Sequence, residues 1–429
     1  MSTEYASRTE KSRRLFERAK KVLPAGVSYG IRYFEPYPFY TKKAKGSKLY
    51  DVDGNEYVDF WLGHTAHILG HGHPKVLEAV RDQIENGTHF GTAHEHEVEL
   101  AEQVANMVHS AEMTRFTNSG TEANMYVTRL ARAYTNKRKI GKFEGGWHGG
   151  YDALHVGVKY PFGMSESAGL TLGALEDTVL LPYNDLEGVK NRLKGDFASI
   201  VMEPMLGAGG GVTADREFLK GLRELCNDRD ILLIFDEVIT GFRLAAGGAE
   251  EYFGVEPDLT VFGKILGGGF PVGAFSGRTD VMQTLNSLIH KRPECSFHGG
   301  TFVANPVSMV AGLATLKLLE DGRLIERLNE SGEAVRRGLD KLFAERSVKV
   351  RVTGAGSLFN VHFTDRPISN AYDVYAADRS KLVEYNTSLI QDGVFFLPTH
   401  NGALSTAHSK EDMAKLYAAT EAYLDKSKT

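Results

Sequence analysis

From residue 62 to about residue 320 the chain alternates long amphipathic stretches with short apolar runs, notably 198–203, 231–236 and 259–262, each closed by a polar or glycine-rich stretch. Short apolar runs spaced by helical patterns read as strands joined by crossover helices, so the pattern predicts an α/β domain on a mostly parallel sheet. In open sheets of this kind ligands bind outside the carboxyl ends of the strands, and the short glycine-rich patches fall there.

The flanks read differently. Residues 1–21 are charged and helix-like, with Phe16, Ala19, Val22 and Leu23 at helical spacing, and 24–30 reads as a loop. Residues 48–60 read as two strands around an Asp53-Gly54 turn. After Asp321 come a charged helix (324–346), strand-like runs (349–352 and 357–363) and a closing helix near 410–424. The expected division is therefore an N-terminal segment 1–61, a large domain 62–320 and a C-terminal part 321–429, the two ends packing into a small α+β domain.

Charge and length narrow the function. The 429 residues carry 50 Lys+Arg against 55 Asp+Glu, a net charge of -5 with no basic stripe, which gives no electrostatic reason to bind nucleic acid. Cys226 and Cys295 are too few for a disulfide framework. The N-terminus lacks the apolar segment of a secretory signal, and no apolar run approaches the ~18–20 residues that span a bilayer. A cytoplasmic protein acting on small molecules is expected, without membrane or nucleic-acid partners.

Three segments could carry chemistry. Phe116-Thr-Asn-Ser119-Gly120-Thr121 runs into a helical pattern over 125–133, and small residues at a helix start leave amides free for an anion such as phosphate, or simply cap the helix. The strand at 231–236 ends in Asp236-Glu237, whose side chains point to opposite faces. No nearby histidine or cysteine pair has metal-ligand spacing, so no metal is expected. Lys264, on a turn before Gly267-Gly268-Gly269, is either a surface lysine or an amine made nucleophilic by desolvation. Together a phosphate cradle, a strand-end carboxylate and an amine are what pyridoxal phosphate needs: an anchor, an acid for the ring nitrogen and a Schiff-base lysine. Val238 and Trp147 could press the two faces of a flat ring.

The order Asn118-Ser-Gly-Thr-Glu-Ala, Gly-Trp147-His148-Gly, Glu203-Pro, Asp236-Glu-Val, Gly-Lys264-(x)₂-Gly-Gly-Gly and His298-Gly-Gly-Thr301-Phe resembles the class III pyridoxal-phosphate aminotransferases over nearly the whole chain. That resemblance implies a type I pyridoxal-phosphate fold, pyridoxal 5'-phosphate as cofactor, and a homodimer with sites at the interface. Lys264 would be the Schiff-base lysine and proton shuttle, and Asp236 would pair with the ring nitrogen. Ser119, Gly120, Thr121, Trp147, His148, Glu203 and Val238 would complete the cofactor site, with Thr301 reaching the phosphate of the partner subunit. Arg243 would be a structural ion-pair partner.

Within the class the chain is similar to the glutamate-1-semialdehyde 2,1-aminomutases, in Arg129-Leu-Ala-Arg132 and Lys142-Phe-Glu-Gly145 among other places. Ala208 stands where other branches carry a switch glutamate. Against the aminomutase pattern, Tyr29 replaces a serine, His64 a tryptophan, and Gly402 a glutamate. The expectation is an intermolecular aminotransferase with a ping-pong mechanism, the alternatives being the aminomutase itself or a racemase or epimerase on the same fold. Arg32 is the candidate for a substrate carboxylate, with Tyr29, His64 and His400 beside it. Residues 159–169 correspond to a mobile entrance loop in the aminomutases.

Overall fold

Seven strands form the central sheet of the computed structural model, which describes residues 3–426, in the order Met113–Thr117, Gly273–Gly277, Leu259–Gly263, Leu232–Asp236, Phe197–Met202, Lys139–Phe143, Thr178–Leu181. Gly273–Gly277 runs antiparallel to both its neighbours and the other pairings in the sheet are parallel. Every residue of Phe197–Met202, Leu232–Asp236 and Leu259–Gly263 is buried, which is why these strands read as continuous apolar runs without alternation. Because the parallel strands share one direction, the residues that follow them, Glu144 onward, Glu203, Glu237 and Lys264, emerge along one edge.

Both chain ends contribute to the smaller sheets. Thr41–Lys45, Lys48–Asp51 and Glu56–Asp59 form a meander whose last strand pairs in parallel with Val394–Phe395. Arg351–Thr353, Leu358–His362 and Gly402–Ala403 form a three-stranded sheet, and Ala403 N–H donates to Phe60 O at 2.7 Å. The expected N-terminal helix is broken at Thr9 into Thr3–Arg8 and Glu10–Ala19. Met1 and Ser2 of that expectation lie outside the described residues. Asp53 does more than turn a hairpin, because its carboxylate accepts from the Lys11 and Ser12 amides at 2.6 and 3.0 Å and so caps the second helix.

The helix after the first strand of the central sheet starts at Gly120, earlier than the periodicity indicated, because Ser119 Oγ accepts from Glu122 N–H at 3.1 Å and fixes its N-terminus there. Helix Pro306–Leu319 is apolar around most of its circumference and lies against the turn Lys264–Gly267. Gly312 makes that approach feasible, since a Cβ there would run into the backbone oxygen of Leu266. Gly312→Ala is therefore expected to overpack the contact and lower stability by about 1–3 kcal/mol. Urea unfolding checks this, and an unchanged midpoint would mean that the helix shifts freely.

Candidate active site

Asp236, the last residue of its strand, is buried, and a buried carboxylate needs donors. It has three: Asn124 Nδ2 at 2.9 Å and His148 Nδ1 at 2.7 Å reach Oδ2, and Val238 N–H reaches Oδ1 at 3.1 Å. Glu237 turns to the other face, where Thr240 Oγ1 and the Ala249 amide donate to it at 3.0 and 2.6 Å. Alternation thus sends one carboxylate into the site and the other into the fold. Asn124 escaped sequence reasoning, although its position one helical turn past Gly120 was a signal for it.

Lys264 follows Gly263 in a left-handed backbone conformation (φ +47°) that a non-glycine residue adopts at a cost. Its amine donates no hydrogen bond among the described residues. Burial lowers its pKa below the usual lysine value, and the charge of Arg243 adds to this while Asp236 and Glu203 oppose it. Glu203 is buried too, accepting from Trp147 N–H at 2.7 Å and Gly207 N–H at 3.0 Å. Burial first, then the Asp236 charge, raises its pKa.

The opening of the helix at Gly120 lies beside this cluster. The amides of Gly120 and Thr121 donate to no protein acceptor among the described residues, while Ser119 is spent on capping. Val238 packs directly against Gly120, where a Cβ would lie 2.9 Å from Val238 Cγ2, and Gly149 packs as closely on Thr121. His148 is fully buried and its Nε2 has no partner. The Trp147 ring meets His155 edge-on at 5.6 Å.

A second group gathers around residues 62–65. Leu62, Gly63, His64 and Thr65 all have φ between +51° and +66°, a left-handed turn that nothing in the sequence announced. Its His64 ring stacks on Tyr29 at 5.7 Å and 12° and meets Trp61 at 4.5 Å, and Trp61 meets His400 at 5.2 Å. Burial, then the nearby Lys264, Arg32 and His400, lowers the His64 pKa to about 4, so this imidazole is neutral. Arg32 is exposed and pairs with no carboxylate among the described residues. Thr301 is apart from both groups, exposed on the rim of a cavity of about 260 Å³ that His89, Phe90 and His94 also line.

Arg243 departs from expectation. It is fully buried and has no acidic partner among the described residues; Nη2 donates to Thr65 O at 2.5 Å, and Nη1 to Ser357 Oγ at 2.8 Å and Leu404 O at 3.2 Å. Neutral acceptors from three separate segments take the place of an ion pair. Residues Tyr160 and Phe162 of the entrance segment pack on Tyr372 and Tyr375, with Phe162 4.7 Å from Tyr372.

A free, partly buried amine, a donor-held carboxylate and open helix-start amides fit pyridoxal phosphate. Comparison with known proteins decides the family, because the profile described as "Aminotransferase class-III" matches residues 32–411. The chain belongs to the class-III aminotransferases. Among curated members, the glutamate-1-semialdehyde 2,1-aminomutase of Methanothermobacter thermautotrophicus is 43% identical over 96% of this chain and 98% of its own length. Among solved structures, an omega-transaminase from Sphaerobacter thermophilus is 36% identical with a TM-score of 0.94, covering 100% of both chains. A transaminase solved with PLP bound is 34% identical, TM-score 0.89, covering 97% of this chain and 98% of its own. Among the described residues no group of His, Cys, Asp and Glu is arranged to hold a metal ion, and no helix is long and apolar enough to cross a membrane.

The Arg243 clamp yields a test. Arg243→Met keeps much of the side-chain volume but leaves three buried acceptors without a donor, at about 1–3 kcal/mol each before relaxation. A thermal midpoint well below that of the parent is the expected result, and one unchanged by the substitution would show that the clamp is dispensable.

Proposed function

We propose that the chain exchanges an amino group with its substrate through pyridoxal phosphate, with Lys264 as the Schiff-base lysine. The observation that carries this reading is the unpartnered, pKa-lowered amine of Lys264 in a buried site with Asp236 and Glu203. When bound, the cofactor supplies an electron sink for the carbon that loses its proton. Asp236, held by Asn124, His148 and the Val238 amide, keeps a proton on the ring nitrogen. Gly120 and Thr121 receive the phosphate, with Ser119 fixing their helix, while Val238 and Trp147 bound the ring. The free amine of Lys264 would hold and move the proton taken from the substrate carbon. Arg32 takes a carboxylate, and Tyr29, His64 and His400 line the substrate side.

The curated relatives favour the aminomutase form of this chemistry over the intermolecular transfer that the sequence put first, being 40–43% identical along nearly the whole chain. In that form the amine moves from C2 to C1 of glutamate 1-semialdehyde while the carbonyl moves the other way, so nothing is oxidised overall. Two observations favour intermolecular transfer: the Tyr29, Trp61 and His64 rings pack together where the aminomutase pattern has a serine and a tryptophan at positions 29 and 64, and the Sphaerobacter neighbour is a transaminase.

The division into an N-terminal segment 1–61, a large domain 62–320 and a C-terminal part 321–429, with the two ends acting as one small domain, is supported by the pairing of Glu56–Asp59 with Val394–Phe395. A homodimer is supported by the exposed apolar side chains Leu288, Ile289, Phe297 and Phe302, the last next to Thr301, which would meet the partner's phosphate. A cytoplasmic location accords with two free cysteines.

Two experiments test the reading. Borohydride is expected to fix pyridoxal phosphate covalently on Lys264, seen by peptide mass, whereas Lys264→Ala carries no label and loses turnover by about 10²–10⁴-fold or more; label elsewhere would refute the assignment. Glutamate 1-semialdehyde given alone is expected to yield 5-amino-4-oxopentanoate. If turnover instead requires a separate amino donor and a keto or aldehyde acceptor, the intermolecular form replaces it.

A further inference from the structure

Lys142, on the strand Lys139–Phe143, is fully buried, and the amino-transfer chemistry leaves it no task. Its Nζ donates to the carbonyl oxygens of Gly146 at 2.7 Å and Val156 at 2.6 Å. Those two carbonyls lie near the opposite ends of the loop 144–157, which a backbone bond from Gly145 N–H to Gly157 O at 2.8 Å also closes.

What the loop carries makes the amine consequential. Gly146 immediately precedes Trp147, whose amide is tied to Glu203, and His148, whose ring is tied to Asp236. Val156 stands at the root of the entrance segment: it bridges to Ser165, and the amides of Val158 and Lys159 donate to Glu166 at 2.6 and 2.8 Å. Burial, opposed by Glu203 and Glu166, brings the Lys142 pKa down to about 7. Neutral or charged, the amine has hydrogens enough for both carbonyls it meets. Without them, two carbonyls in a largely dry place lose their donor, and the loop gains by opening toward water.

We infer that Lys142 is a positioning residue: through the Gly146 and Val156 carbonyls it sets Trp147 and His148 against the cofactor and fastens the entrance segment to the same point. The inference rests on the pyridoxal-phosphate reading for its ligand, but its geometry belongs to the chain alone.

The experiment uses the full chain in a Trp61→Phe background, where Trp147 is the only tryptophan, since the sequence holds two. Lys142→Met removes both donors at similar length, and Lys142→Gln restores a shorter donor. Three quantities are read: affinity for pyridoxal phosphate, quenching of Trp147 fluorescence by it, and the rate of protease cleavage within 157–170. Lys142→Met is expected to bind about tenfold more weakly, to quench less and to be cut faster, with Lys142→Gln lying between it and the parent. Folded Met and Gln variants with parental quenching and cleavage overturn the inference, as does weaker binding with neither readout changed. Should Lys142→Met not fold, the Gln variant alone decides by the same two readouts. A parent chain that binds no pyridoxal phosphate refutes the cofactor reading instead, and the cleavage comparison still decides the role of Lys142.

Discussion

Everything in the site is arranged around keeping the Asp236 carboxylate buried. A carboxylate out of water is costly unless donors surround it, and here they arrive from three elements: Asn124 on the helix that opens at Gly120, His148 on the loop after Lys139–Phe143, and the Val238 amide just beyond its own strand. Each donor brings a neighbour with it. Asn124 places the helix-start amides, His148 places Trp147, and the Val238 amide places a side chain against Gly120. Satisfying one charge therefore brings together most of the residues proposed to surround the cofactor.

The opposite side of the site is held by a cation without an anion. Arg243 draws together Thr65 of the left-handed turn, Ser357 beside the small three-stranded sheet and Leu404 of the C-terminal region. Consecutive left-handed residues cost roughly 1–2 kcal/mol each outside glycine, so the turn requires such an anchor. Asp59 helps from the other end, accepting from the Trp61 and Leu62 amides at 2.9 and 3.0 Å while its second oxygen meets His71 at 2.7 Å. The turn presents His64 beside Tyr29 and within the electrostatic reach of Lys264.

How much of this could be read from residues alone follows from the range of the interactions. The parallel sheet, the strand-end placement of Asp236 and Lys264, and the capping Ser119 depend on periodicity and nearest neighbours, and these were legible. The opposite facing of Asp236 and Glu237 followed from alternation. Arg243 was misread because the ion-pair role came only from the family resemblance, whereas its acceptors lie 114, 161 and 178 positions away. Lys142 was legible only as part of a motif, since strand burial gives no hint that an amine will find two carbonyls. Successive positive φ values at Leu62, His64 and Thr65 are imposed by tertiary contacts, and those residue types do not favour them.

The two sides differ in how freely they can change. The cofactor side is built from buried groups whose partners are backbone amides or other buried polar atoms, so substituting one strands another. The proposed substrate side consists of rings stacked on a turn, an Arg32 that pairs with no carboxylate among the described residues, and the short Gly402–Ala403 strand. His64 or Tyr29 can be exchanged for other side chains without leaving a buried charge unpaired. A fold constructed this way keeps one chemistry while its substrate changes. Relatives named aminomutase and transaminase match this chain at 43% and 36% identity over nearly the same length, as that asymmetry allows. On the reading proposed above, substrate choice is lodged in the rings of Tyr29, Trp61 and His64 and in Arg32, and the amino-transfer chemistry in Asp236 and Lys264.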